Sequence, residues 1–196
     1  GNSAIGDFSP RIPLLIAGAG IRPGIYQGVV RSIDLMPTLL EQAGIPLPPN
    51  LDGVPLTPAL QGKTLQDLAA FNETGIWIAD IPGLPERHLR YPDLLELLEV
   101  PDRQTGTLAV KPEYARVTIQ AKDRMIRQDR WKLVYQPLDE GYVLRLFDTE
   151  SDPNCESDIA SRHPEVTESL WGQLAAWMAE DPLFSPERDR IGTKGS

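Results

Sequence analysis

A chain of 196 residues with 41% hydrophobic and 24% charged residues has the make-up of an ordinary globular protein, enough for one domain or one and a half. Its net charge of −9 argues against a nucleic-acid partner, which needs a basic face. No apolar run approaches the roughly 18 residues of a membrane span, no signal peptide is recognisable, and a start at Gly1 reads as trimmed or processed. The single Cys155 excludes an internal disulfide and a cysteine-rich zinc site. The 19 prolines are about twice the average usage and predict long, shaped connectors.

In chain order, RIPLLIAGAG predicts a short strand over Ile12–Ala17 that ends in a glycine turn. Its apolar run without alternation suits a strand covered on both faces, as in a parallel sheet. A helix follows, with Met36, Leu39, Leu40 and Ala43 on one apolar face. Asp34 is its expected N-cap, Pro37 its third residue, Gly44 its C′ residue, and Pro46 blocks continuation. PLPPN is stiff and extended, and Leu51-Asp52-Gly53 makes a turn. Within LQDLAAFNETGIWIADI, the stretch GIWIADI favours a strand, and YPDLLELLEV predicts a short helix with Pro92 in its first turn. IPGLPERHLRYP and VPDRQTGTLAVKPEY read as loops.

Four closely spaced strand candidates come next: ARVTIQA, RMIRQ, WKLVYQ and YVLRLFD. Asp129-Arg130 and PLDEG are tight connections, which favour antiparallel neighbours. A polar connector, DTESDPNCESDIASRHPE, leads to a helix from about Pro164 to Ala179. Val166, Leu170, Leu174, Trp177 and Met178 share one face of it. A helix across one face of a small antiparallel sheet is the expected packing, and the tail from Ser185 is expected to be disordered.

Candidate chemistry is sparse. Arg87, His88 and Arg90 lie together in PERHLRYP and could hold a sulfate, phosphate or carboxylate. The competing reading is a solvated loop, because exposed charges contribute little. His163 precedes Pro164 and reads as a cap or a solvated residue. Asp148, Glu150, Asp152, Glu156 and Asp158 crowd one connector, but without the alternation and closing Glu of a calcium loop, so a turn-rich surface segment is the better reading. Cys155 has no nearby His and is a poor nucleophile candidate. AGAGIRPG lacks the following helix that a dinucleotide site requires.

Taken in order, RIPLLIAGAGIRPG, VVRSIDLMPTLLEQAGIPLP, LDGVPLTPALQG, MIRQDRWKLVY and LFDTESDPNCESDIASRHPEV resemble the C-terminal region of a sulfatase, in the alkaline-phosphatase-like superfamily, over most of residues 10–180. D-L-x-P-T-L-L followed by A-G-I-P and D-G is similar to that family's last core strand and helix. R-x-x-R-W-K-L and L-F-D-x-x-x-D-P resemble the edge of its C-terminal sheet.

The resemblance implies an α+β fold: an α/β edge segment, residues 10–62; a variable connector, 63–112; an antiparallel sheet with a packed C-terminal helix, 113–182; and a tail, 183–196. It also implies where the family's chemistry lies. The nucleophile is a formylglycine made in a C/S-x-P-x-R motif, and a divalent metal such as calcium is held by Asp with Asn or Gln. Cys155 is followed by Glu156-Ser157-Asp158, which does not match, and no metal motif is present. The lysine that the family carries before its R-x-P strand is missing from GNSAIGDFSP.

The expectation is therefore a sulfatase C-terminal region without its catalytic half, with no catalytic residue, metal ligand or cofactor of its own. It would be part of a sulfuric ester hydrolase, supplying scaffold and pocket rim, with Arg87, His88 and Arg90 as rim candidates. The alternatives are a stand-alone interaction module of the same ancestry, or part of a phosphodiesterase or phosphonate hydrolase. The implied partners are the remainder of a sulfatase polypeptide or a second copy joined through residues 12–17, and, in the parent, a sulfated small molecule or glycan.

Overall fold

The structure, a computed structural model, describes residues 10–77 and 84–182. By contacts the chain divides into two units: residues 11–70 with 127–131, and the remainder. The fold is α+β, a set of helices with a small antiparallel sheet.

The first unit centres on helix α1, Leu35–Gln42, entered from a 3-10 turn over Ser32–Asp34. Asp34 sits at the N-cap position, as expected, but its carboxylate caps the preceding 3-10 turn. Oδ2 accepts the Arg31 N–H at 2.9 Å, and Oδ1 accepts from Arg31 Nη2 at 2.7 Å and from the Val54 N–H at 2.9 Å. Burial alone raises the Asp34 carboxyl. The Arg31 side-chain bond, the backbone bonds from Val54 and Arg31, and the Arg31 charge outweigh burial and hold the group below its ordinary 3.8.

The helix ends at Gly44 with φ +70. Ile45 N–H donates to the Leu40 carbonyl at 2.9 Å and Gly44 N–H to the Glu41 carbonyl at 3.0 Å, which together form the Schellman pattern. The Asp52-Gly53 bend packs against the start of this element. A Cβ on Gly53 would lie 2.0 Å from the Ile33 carbonyl oxygen. Helix α2, Thr57–Leu60, completes the unit; Leu56 before it is buried, and its N–H donates to Thr38 Oγ1 at 2.8 Å.

Two expectations fail here. Ile12–Ala17 is neither a strand nor buried: Ile12 is 66% and Leu15 89% exposed. A strand exists only where a neighbour accepts its hydrogen bonds, and among the described residues none of residues 11–17 makes a backbone bond. The burial of α1 is also inverted. Asp34, Pro37 and Thr38 are buried, whereas Met36 and Leu39, on the expected core face, are 62% and 63% exposed.

The second unit holds the body of a four-stranded sheet: β1 (Ala69–Glu73), β4 (Arg124–Gln128), β5 (Trp131–Pro137) and β6 (Tyr142–Asp148), in the order β1-β4-β5-β6. Between β1 and β4 come α3 (Leu94–Leu97), the short antiparallel pair β2 (Leu98–Glu99) and β3 (Ala109–Val110), and α4 (Ala115–Gln120). The β4–β5 turn runs through Asp129 at φ +49. The β5–β6 turn closes at Gly141, φ +76, whose carbonyl accepts the Leu138 N–H at 3.0 Å.

Helix α5, Pro164–Met178, lies on the sheet as expected. Trp177 stacks on Phe71 with centroids 5.2 Å apart, and Trp171 meets Tyr135 at 5.6 Å and Tyr142 at 4.8 Å. Val134, the neighbour of Tyr135 along β5, belongs to a separate buried cluster with Met125, Phe147 and Cys155.

Other expectations are corrected in this unit. ARVTIQA is helix α4 and not a strand. Pro112 opens a 3-10 turn that runs into it, and the β-branched Thr118 is accommodated because its hydroxyl donates back to the Tyr114 and Ala115 carbonyls at 3.0 and 2.8 Å. GIWIADI forms no strand over Gly75–Trp77, and the rest of it lies outside the described residues. The strand of this region is β1, upstream. Pro92 precedes α3 instead of opening it. Asp93 is the N-cap, accepting from the N–H groups of Leu95 at 2.9 Å and Glu96 at 3.1 Å. The tail from Ser185 also lies outside the described residues.

Candidate functional site

A buried polar grouping is built around Asp123, just before β4. Asp123 N–H donates to Thr74 Oγ1 at 3.0 Å, and the Thr74 N–H returns a bond to the Asp123 carbonyl at 2.9 Å. This exchange ties the start of β4 to the end of β1. One carboxylate oxygen lies 2.6 Å from His88 Nε2, and the other accepts from Gln136 Nε2 of β5 at 3.0 Å. The side chains of His88 and Asp123 are both wholly buried. His88 Nδ1 lies 2.8 Å from the Leu89 carbonyl. The Leu89 N–H donates to Pro137 O at 2.9 Å, which extends the pairing beyond β5. The Trp77 ring packs on the imidazole at 4.8 Å and on Tyr91 at 5.6 Å, and the Trp77 backbone N–H donates to the Tyr91 hydroxyl. Burial raises the Tyr91 phenol above its ordinary 10, and the Trp77 N–H offsets part of that rise.

The protonation of the pair follows from its geometry. Both ring nitrogens of His88 face oxygen: a carbonyl, which can only accept, and a carboxylate. Two hydrogens must therefore be present, either both on the ring or one on the ring and one on Asp123. Either way the buried pair is neutral overall, the form that low dielectric favours. With both side chains wholly buried, the pair works by position: it clamps the loop carrying residues 84–91 onto the end of β5.

That assignment separates the three residues expected at a rim. His88 points inward to Asp123. Arg87 is 61% exposed and meets Glu140 at 3.6 Å, a contact of little energy between two exposed groups. Arg90 is exposed. The structure thus does not gather the three into one anion cradle. It holds Arg87 and Arg90 at the surface on a loop that the histidine anchors.

The acidic connector binds its own backbone. Asp148 Oδ1 accepts the Glu150 N–H at 3.1 Å, Asp152 Oδ2 the Ser157 N–H at 2.8 Å, and Asp158 Oδ1 the N–H groups of Leu146 at 3.1 Å and Ala160 at 3.0 Å. Among the described residues no group of three or more His, Cys, Asp or Glu side chains could hold a metal ion. Cys155 is buried against Met125, Val134 and Phe147 and does not fit a formylglycine precursor. His163 stands at the N-cap position of α5 without a side-chain cap bond, and its carbonyl accepts from the Thr167 hydroxyl at 3.0 Å.

Sequence reasoning missed Asp123, Gln136 and Thr74. Lys122-Asp123-Arg124 reads as a solvated charge run, yet Arg124 is 1% exposed, with Glu73 3.3 Å from its Nε and the Ile119 carbonyl 2.9 Å from its Nη2.

No family model matches the chain. Human arylsulfatase K is 31% identical over 165 residues, which are 84% of this chain and 25% of that protein. Choline-sulfatase of Rhizobium meliloti (strain 1021) is 32% identical over 148 residues, 74% of this chain and 20% of that protein. The chain is homologous to the C-terminal region of sulfatases. A crystal structure of a candidate sulfatase from Bacteroides thetaiotaomicron superposes with a TM-score of 0.52 at 18% identity, over 91% of this chain and 30% of that one, and shows the shared fold. This sulfatase homologue spans about a quarter of the length of the curated relatives it matches.

Proposed function

We propose that the chain is the C-terminal portion of a sulfuric ester hydrolase of the sulfatase type, supplying scaffold and pocket rim while the reacting groups lie elsewhere in the polypeptide. The observation that carries this reading is the 31% identity to human arylsulfatase K over 84% of the chain. What supports a scaffold role is packing: Cys155 lies in an apolar cluster, and the buried His88–Asp123 pair anchors a loop. Such an enzyme cleaves a sulfate ester with a formylglycine nucleophile and a metal that polarises the sulfate oxygens. No step of that chemistry is assigned to a residue of this chain.

What the chain offers a substrate is Arg87 and Arg90, whose guanidinium groups can pair with a sulfate or carboxylate through two N–H bonds. The test is hydrolysis of an aryl sulfate by the 196-residue chain and by the longer polypeptide of its gene. The chain alone is expected to be inactive and the longer polypeptide active. In the latter, Arg87→Ala with Arg90→Ala should raise KM with kcat nearly unchanged, the mark of lost uniform binding. Turnover by the chain alone, or hydrolysis of a phosphonate ester in place of the sulfate ester, overturns the reading.

A further inference from the structure

Three buried side chains of the sheet unit, His88, Asp123 and Gln136, are polar and bonded in a row, with exposures of 2%, 0% and 0%. Taking such groups out of water is costly, and apolar residues of similar volume often hold a core equally well. Gln136 shows the cost most directly. Its Nε2 donates to Asp123 at 3.0 Å, while its Oε1 is buried with no hydrogen-bond partner among the described residues. What hydrogen bonds add to a core, and apolar packing does not, is direction. Direction has a use at this place in the fold. His88 bridges Leu138 in antiparallel fashion. The Leu89 N–H donates to the Pro137 carbonyl and the Asp139 N–H to the Arg87 carbonyl, both at 2.9 Å. The His88 N–H closes the turn before it on the Pro85 carbonyl at 3.0 Å. Side chains alternate along an extended segment, so drawing His88 inward turns Arg87 outward. Arg87 stands there 61% exposed, 3.6 Å from Glu140, and Arg90 is exposed further along the same loop.

We propose that His88, Asp123 and Gln136 are positioning residues for substrate binding: their bonds fix the backbone of residues 87–90, so that Arg87 and Arg90 meet an anionic group of the substrate without a reordering of the loop. The proposal rests on the reading of these arginines as a pocket rim. A loop that had to be ordered at the moment of binding would weaken the arginine contacts by the entropy of ordering it. Supporting groups locked by hydrogen bonds remove that loss in advance. The buried set touches no substrate, so its loss acts through the arginines and reaches KM, not kcat.

The test is a double-mutant cycle in the longer polypeptide of the gene, with an aryl sulfate as substrate. Arg87→Ala with Arg90→Ala is expected to raise KM about tenfold. Asp123→Ala alone should raise it by a similar factor with kcat within about twofold, and adding it to the arginine substitutions should raise KM no further. Asp123→Asn, which keeps one donor and one acceptor for its two neighbours, should return KM to within about twofold of the native value. If Asp123→Ala does not fold, Gln136→Leu takes its place in the cycle. It leaves the His88–Asp123 contact intact and should raise KM about threefold in the native background and not at all without the arginines. In the 196-residue chain, the Leu89 and Asp139 amides of Gln136→Leu should exchange about tenfold faster or more, with those of α5 unchanged. Equal KM increases in both backgrounds, a fall in kcat at constant KM, or unchanged exchange of those two amides overturns the proposal. A raised KM in the arginine variant with native KM in Asp123→Ala sinks the positioning alone, whereas a native KM in the arginine variant sinks the rim reading and the positioning with it.

Discussion

Two hydrogens between His88 and its oxygen partners make a sharp claim about Asp123. Truncating Asp123→Ala leaves the His88 ring nitrogen and the Gln136 amide without their acceptor, in a wholly buried site. The expected cost is about 3–5 kcal/mol. Asp123→Asn behaves differently. Its amide N–H₂ can donate to Nε2 of a neutral imidazole that still donates from Nδ1 to the Leu89 carbonyl, and its carbonyl can accept from Gln136. That substitution should cost less than about 1.5 kcal/mol. Denaturant titration of both variants measures the difference. Equal losses would mean that the pair depends on full charge separation and not on a shared extra hydrogen. None of this was legible in the sequence. His88 lies between Glu86-Arg87 and Arg90, and Asp123 between Lys122 and Arg124, so each looks solvated until the chain is folded.

At the scale of the element, α1 is the most readable part of the chain and the most misleading. Its N-cap position, Pro37, Gly44 and the stop all stand where the pattern puts them. Those are local rules, decided by hydrogen bonds within a few residues. Which side of the helix is buried is not local. The Arg31–Asp34–Val54 bonds draw the polar side inward. Because the folded-state pKa of Asp34 is lowered, its contribution is fully present above its unfolded value and is lost as pH falls through the lower folded one. Asp34→Asn is therefore expected to be less stable than wild type by about 2 kcal/mol at pH 7. That gap should narrow as the pH falls below the ordinary carboxyl value and through the lower folded one. Melting both proteins across this range checks it; a gap that stays constant down to low pH would remove the carboxylate charge from the account. Helix α4 carries the opposite lesson. Its β-branched residues favour a strand, and the 3-10 turn after Pro112 with the Thr118 back-bonds makes it a helix.

At the scale of the whole molecule, the two units differ in what they bury. The sheet unit has Leu133, Val134, Tyr135, Leu146 and Leu174 at no more than 1% exposure, and α5 seals its sheet with aromatic contacts. Residues 11–30 contain no helix or strand. In native-state hydrogen exchange, amides of β5 and α5 should therefore exchange at least about a hundredfold more slowly than those of residues 11–30 in the 196-residue chain. Comparable protection in both would show that the N-terminal unit makes a complete core by itself.

Closely spaced strand candidates joined by short polar turns were enough to place β4, β5 and β6 from the sequence, because each strand's neighbour follows within a few residues, and α5 was placed by its one apolar face. The order of motifs likewise pointed to a sulfatase C-terminal region before any contact was known. Tertiary structure alone decided the rest: that β1 lies upstream of GIWIADI, that His88 turns inward to Asp123, and that Ile12–Ala17 makes no backbone bond among the described residues. Each of these depends on contacts between segments distant in the chain. A strand without an acceptor, or a histidine without a carboxylate, has no local signal that tells it where to go.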